Sequence, residues 1–184
     1  SVAFEGVTFH YAERGTVIDD LSFEIPAGRV LGVLGRTGCG KTSLTRLLLR
    51  LYDPERGVVK LGGQDLRDAA LADLRERVAM VTQDVQIFQA SLRDNLTLFD
   101  ETETDGRLWG ALEALGLAAW ARALPQGLDT PMASGARGLS AGEAQLLAFA
   151  RVLLRDPGLV ILDEASSRLD RATECRLERA SERL

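Results

Sequence analysis

Gly35 to Ser43 reads G-R-T-G-C-G-K-T-S, that is Gly35, Arg36, Thr37, Gly38, Cys39, Gly40, Lys41, Thr42 and Ser43 without a break. An apolar run, Val30 to Leu34, comes before it, and Leu44 to Leu51 after it carries apolar residues at helical spacing. The pattern predicts a strand, a glycine loop and a helix, an order in which backbone can wrap polyphosphate. Gly35, Gly38 and Gly40 allow tight turns that aim several N–H groups inward. A helix beginning near Gly40 adds its positive end at the same point. Lys41 is spaced to reach the β- and γ-phosphates, and the Thr42 hydroxyl to hold Mg²⁺. A glycine turn before a core helix needs none of these polar residues in register. The stretch reads as a nucleoside triphosphate site.

Composition sets outer bounds. At 184 residues, 46% apolar and 27% charged, the chain is expected to be one globular domain with a sizeable core. A net charge of -5 without a basic block disfavours a nucleic-acid surface. Lysine occurs only at Lys41 and Lys60, and the two cysteines, Cys39 and Cys175, do not form a disulfide framework. No apolar run has the length of a membrane span, and no signal peptide is evident. The opening Ser-Val within a strand pattern and the close at Leu184 within a helical one suggest a segment of something longer.

Along the chain, Val2 to Phe9 alternates as a half-buried strand does, with Gly6 marking a bulge. Leu21 to Ile25 alternates again before the Pro26-Ala27-Gly28 turn. Strands are predicted at Val58 to Leu61 and Val78 to Thr82, with a short helix at Leu71 to Arg77 between them. Residues 84–156 show helical patterns, including Leu108 to Leu115 and Leu117 to Leu124, and read as a helical lobe inserted into a core of 1–83 and 157–184. Ser134 to Gly138 reads as a loop within that lobe, and Thr173 to Leu184 as a polar-faced helix.

Leu159 to Leu162 is an apolar strand ending in Asp163 and Glu164. A parallel strand buried on both faces reads as such a run, and ligands bind beyond its carboxyl end. Asp163 is therefore a candidate for the Mg²⁺ shell and Glu164 for orienting and deprotonating a water. Leu139-Ser140-Ala141-Gly142-Glu143 opens a helix over Ala144 to Arg155 with Leu146, Leu147, Ala150, Leu153 and Leu154 on one face. Ser140 and Glu143 also form an ordinary capping-box pattern, which would account for both residues.

With the glycine loop upstream, L-S-A-G-E resembles the L-S-G-G-Q signature of ATP-binding cassette (ABC) ATPases, and the resemblance covers essentially the whole chain. It implies an α/β fold: a P-loop NTPase core with a mixed β-sheet, an antiparallel β subdomain and an inserted helical subdomain. Tyr11, in Phe9-His10-Tyr11, looks like the family's adenine-stacking aromatic, a contact worth about 1–3 kcal/mol in nucleic-acid systems. Gln83 matches the Q-loop glutamine that reaches Mg²⁺ and the attacking water. Ser166 to Asp170 resembles the D-loop, which would place Asp170 at a dimer seam, although Asp170 could equally cap the next helix. The segment Gln86 to Leu96 is similar to one through which exporter-type cassettes contact their membrane helices. The plain alternative there is that Phe88 and Leu92 belong to the lobe core.

By the same resemblance, ATP with Mg²⁺ would bridge two nucleotide-binding domains, in a homo- or heterodimer. The phosphate loop and Tyr11 of one would face Ser140 and Gly142 of the other. Hydrolysis would drive transmembrane domains, expected on the same chain, at the cytoplasmic face of a bacterial membrane. A soluble, non-transport cassette ATPase and an ATP-binding regulatory domain are the alternatives. The first would need a long coiled-coil insertion for chromosome work, and Glu164 argues against the second. Two departures stand out. The family's switch histidine is expected beyond Leu184, so this segment alone is expected to hydrolyse ATP weakly; His10, at the adenine end, cannot replace it. Glu143 stands where the family has glutamine.

Overall fold

The computed structural model describes residues 1–12, 15–133 and 139–163. They form two compact units, the first within 1–78 and the second beginning at Ala79. Glu164, Asp170, the loop Ser134 to Gly138 and the helix expected over Thr173 to Leu184 lie outside the described residues.

The first unit is built on a four-stranded antiparallel sheet in the order β2-β1-β3-β4. Its strands are β1 (Val2–His10), β2 (Thr16–Ile25), β3 (Arg56–Leu61) and β4 (Gln64–Asp65). Along β1 the alternation holds: Val2, Phe4, Val7 and Phe9 are buried. The register breaks between Phe4 and Val7, and Gly6 sits there at φ 57, the bulge the sequence predicts. Gly62 and Gly63, both at positive φ, turn β3 into β4. Helix α1 (Lys41–Leu48) follows the glycine loop, and α2 (Leu71–Arg77) has the bounds expected of it.

One expectation is overturned. Val30 to Leu34, predicted as the central strand, is irregular, with Val30 99% and Leu34 96% exposed. A central strand must pair its N–H and C=O groups on both sides. Among the described residues no strand runs alongside this segment, and Gly32 and Gly35 weaken its own extended preference. The run at Leu159–Leu162 is a strand, but of its residues only Ile161 is buried, and Leu162 is 50% exposed.

The second unit pairs β5 (Val78–Val81) with β6 (Leu159–Leu162) and packs helices around one apolar cluster. These are α3 (Leu92–Thr97), α4 (Asp105–Ala114), α5 (Ala118–Ala123) and α6 (Ala141–Arg155). Leu92, Leu108, Leu112, Leu146 and Phe149 are among its wholly buried side chains. Ser91 and Asp94 close a capping box at α3. Arg93 ties three pieces of the lobe together through Asp105 and Asp129. Both partners push the Arg93 guanidinium above its ordinary value, Asp105 more strongly. Leu92 is core, as the plain reading of that segment has it, whereas Phe88 is 37% exposed and meets Phe99 edge-on at 5.7 Å. No helix among the described residues is long and apolar enough to cross a membrane.

Candidate functional site

Gly38 and Gly40 take the left-handed backbone, at φ 86 and φ 98, that lets the loop turn twice within three residues. A Cβ at Gly35 would lie 2.5 Å from the Cys39 sulfur, so a side chain there would require Cys39 to turn away. Cys39 N–H donates to the Arg36 carbonyl at 3.2 Å, closing the loop on itself. Lys41 folds back over it, its Nζ donating to the carbonyls of Gly35 (2.6 Å) and Arg36 (3.2 Å). The ammonium therefore stands above the mouth of the loop, where anionic oxygens would meet it.

Helix α1 starts at Gly40 with no side-chain cap and no acid in its first turn. Ser43 N–H donates to the Gly40 carbonyl at 2.9 Å, but no side chain caps the N–H groups ahead of it, and the helix dipole is not neutralised by an acid of the first turn. A phosphate is the partner such an end selects. Thr42 is exposed beside Lys41, while Ser43 turns inward and is buried.

The structure brings Tyr11 to the same helix. Its hydroxyl lies 3.0 Å from Ser43 Oγ and accepts from Arg46 Nη1 at 3.1 Å. The ring meets Phe9 and Tyr52 edge-on, with centroids at 4.8 and 5.3 Å, and the Arg46 guanidinium lies 5.7 Å from its centroid. Arg46 and Tyr52 were not legible as members of this cluster. Their side chains reach Tyr11 only because β1 and α1 converge, and spacing along the chain carries no trace of that. His10, next in line, pairs with Glu55 at 2.9 Å on the exposed end of β1.

In the second unit, Gln83 follows the end of β5, and Asp163 follows β6 with its N–H donating to the Val81 carbonyl at 2.9 Å. That bond puts the ends of the two strands side by side. At the start of α6, Ser140 Oγ accepts from Glu143 N–H (3.2 Å), and the Glu143 carboxylate accepts from Ser140 N–H (2.7 Å). The capping box is therefore real, and Glu143 spends part of its charge on the helix's own amide.

Further along α6, two polar residues sit among apolar ones. Gln145 is 4% exposed and its Nε2 donates to the Thr82 carbonyl at 3.2 Å. Arg151 donates to the Asn95 carbonyl at 2.7 Å and the Gln86 carbonyl at 2.9 Å. Burial holds its guanidinium below the ordinary arginine value. The only sequence signal for these two was a polar letter inside an apolar stripe.

The family profile described as ABC transporter matches residues 18–167. The chain belongs to the ABC transporter family. It is 37% identical over 179 residues to the uncharacterized ABC transporter ATP-binding protein YknV of Bacillus subtilis (strain 168), covering 97% of this chain and 30% of that protein. It is 37% identical over 174 residues to the human mitochondrial iron-sulfur clusters transporter ABCB7, covering 95% of this chain and 23% of that protein. Among solved structures it resembles a bacterial Atm1-family ABC exporter with ATP bound. That match has a TM-score of 0.90 at 32% identity and covers 100% of this chain and 32% of the other. The chain thus spans less than a third of the length of these ABC proteins. Its mixed α/β fold is the P-loop fold of the family's nucleotide-binding domain, and ATP binding and hydrolysis are the chemistry of that domain.

Proposed function

We propose that this chain is the ATP-hydrolysing domain of an exporter, working as one half of a dimer in which ATP drives closure. The observation that carries this reading is the phosphate loop: Lys41 over the mouth, an uncapped helix end behind it, and Tyr11 anchored to the same helix. A transporter among its relatives and an exporter among similar solved structures supply the transport half of the reading.

In the proposed cycle, ATP lies on Gly35 to Ser43 with its adenine against Tyr11. Ser140 and Gly142 of a second nucleotide-binding domain close over the γ-phosphate, with Asp170 at the seam. Glu164 takes the proton of the attacking water, which Gln83 orients. A bridged nucleotide couples its binding free energy to closure, and hydrolysis removes the bridge. Residues 1–83 and 157–184 act as the nucleotide-binding core and 84–156 as the helical subdomain. The exposed Phe88 fits a contact with transmembrane domains on the same chain, at the cytoplasmic face of a bacterial membrane.

Mg²⁺ would be held by Thr42, Gln83 and Asp163. A hydroxyl, an amide oxygen and a carboxylate are the hard donors this ion takes. Among the described residues no cluster of three or more His, Cys, Asp or Glu could hold a metal alone. When bound, Mg²⁺ neutralises charge on the transferring phosphoryl group.

Cys39 provides the test. It is exposed within the loop, so a maleimide should label it in the full-length protein, and Mg-ATP should protect it. Labelling at the same rate with and without Mg-ATP overturns the placement of nucleotide. Glu143 tests the composite site separately. Glutamine keeps the capping box but removes a negative charge from the tip that faces the γ-phosphate. Glu143→Gln should tighten ATP-dependent closure roughly two- to fivefold, the span of one charge at a helix terminus. Unchanged ATP dependence of closure, read by fluorescence transfer between labelled domains, counts against that role.

A further inference from the structure

The stretch between Gln83 and Ser91 has neither helix nor strand, yet the second unit holds it firmly. Its backbone is gripped by three side chains. Gln145 takes the Thr82 carbonyl, immediately before Gln83. Arg151 takes the Gln86 carbonyl with Nη2 and the Asn95 carbonyl with Nε. Asn95, 1% exposed, accepts from Phe88 N–H at 2.8 Å and donates to the Phe88 carbonyl at 3.0 Å.

Two of the three grips come from α6, whose first turn carries Ser140 and Glu143. Arg151 pairs with no carboxylate among the described residues. A partly buried guanidinium compensated only by carbonyls is a poor stabiliser beside an apolar side chain of the same size. What it does supply is geometry, since a planar fork can hold two carbonyls of different segments at once. An apolar residue packs but does not fix backbone in this way.

We propose that Arg151, with Gln145, is a positioning residue that makes α6 and the 83–95 segment move as one body. When nucleotide engages Ser140 and Gly142, the shift of the α6 tip is carried to Gln83 at one end of the segment and to Phe88 further along. This inference rests on the nucleotide reading above and deepens it.

Hydrogen–deuterium exchange on the full-length protein, with and without Mg-ATP and vanadate, separates the two. In the wild type, nucleotide should slow exchange over both 35–43 and 83–99. Arg151→Met should keep the protection at 35–43 and lose it at 83–99, and kcat should fall roughly 2- to 30-fold, as for residues that carry coupling, with KM unchanged. Arg151→Lys, whose single nitrogen cannot span both carbonyls, should restore only part. A merely structural loss would instead raise exchange over 83–99 equally with and without nucleotide. Should Arg151→Met fail to fold, Gln145→Leu removes the Thr82 grip alone and should lose protection around Gln83. Protection of wild-type size over 83–99 in either variant overturns the proposal. So does a wild type protected at 35–43 and nowhere in 83–99. A wild type with no protection at 35–43 overturns the nucleotide reading itself, and this inference with it.

Discussion

Lys41→Ala should abolish measurable turnover, lowering kcat of the full-length protein roughly 10²–10³-fold, the cost of removing one preorganised donor at developing negative charge. ATP affinity should fall with it, because the ammonium folds back onto the loop, where its partners are the carbonyls of Gly35 and Arg36. The glycine turns and the amide end of α1 do not depend on the lysine side chain. The variant should therefore keep its fold, with a thermal midpoint near that of the wild type. Lys41→Arg is expected to rescue little, since a planar fork does not fit where a compact point charge is cradled. Equilibrium titration with a fluorescent ATP analogue, beside a phosphate-release assay, reads both effects.

Glu164→Gln should separate binding from chemistry. Replacing the proposed base with an amide of the same shape removes proton acceptance and leaves the nucleotide contacts of Gly35 to Ser43 intact. Loss of general-base catalysis lowers turnover roughly 10²–10⁴-fold, while ATP affinity stays equal to or better than that of the wild type. The contrast with Lys41→Ala is the informative part: one variant loses binding and turnover together, the other turnover alone. Single-turnover hydrolysis under saturating ATP measures it. Glu164→Gln turning over at the wild-type rate would assign the base elsewhere.

Much of the site was readable in advance because its logic is local. Three glycines, a lysine and a threonine at fixed spacing dictate a loop and a helix start, and α1 begins at Lys41 after an N-cap glycine. Ser140 and Glu143 are three apart and cap one helix turn, again a local event. Strand β1 could be read to its bulge because period-two alternation and one glycine carry the information. What escaped depends on contacts between distant segments. Val30 to Leu34 has the composition of a central strand, but a strand exists only through its neighbours, and composition does not provide them. Gln145 and Arg151 stand among the apolar residues of α6 with no motif to mark them. Their partners are carbonyls at Thr82, Gln86 and Asn95, and a carbonyl has no letter in the sequence. Tyr11 was expected at the nucleotide, and the structure ties its hydroxyl to Ser43 on α1. Glu164 and Asp170 lie outside the described residues, and their roles rest on the sequence pattern.

The central claim is that each ATP is held by the loop of one copy and the α6 tip of another. Full-length dimers purified through two different tags can carry Lys41→Ala on one copy and Ser140→Ala on the other, or both substitutions on a single copy beside a wild-type partner. If sites are composite, the first arrangement ruins one site twice and leaves the other whole, so vanadate-trapped nucleotide persists, whereas the second damages both sites and traps none. Trapping by the second dimer and not by the first would mean that each copy binds its nucleotide alone, and the account would fail.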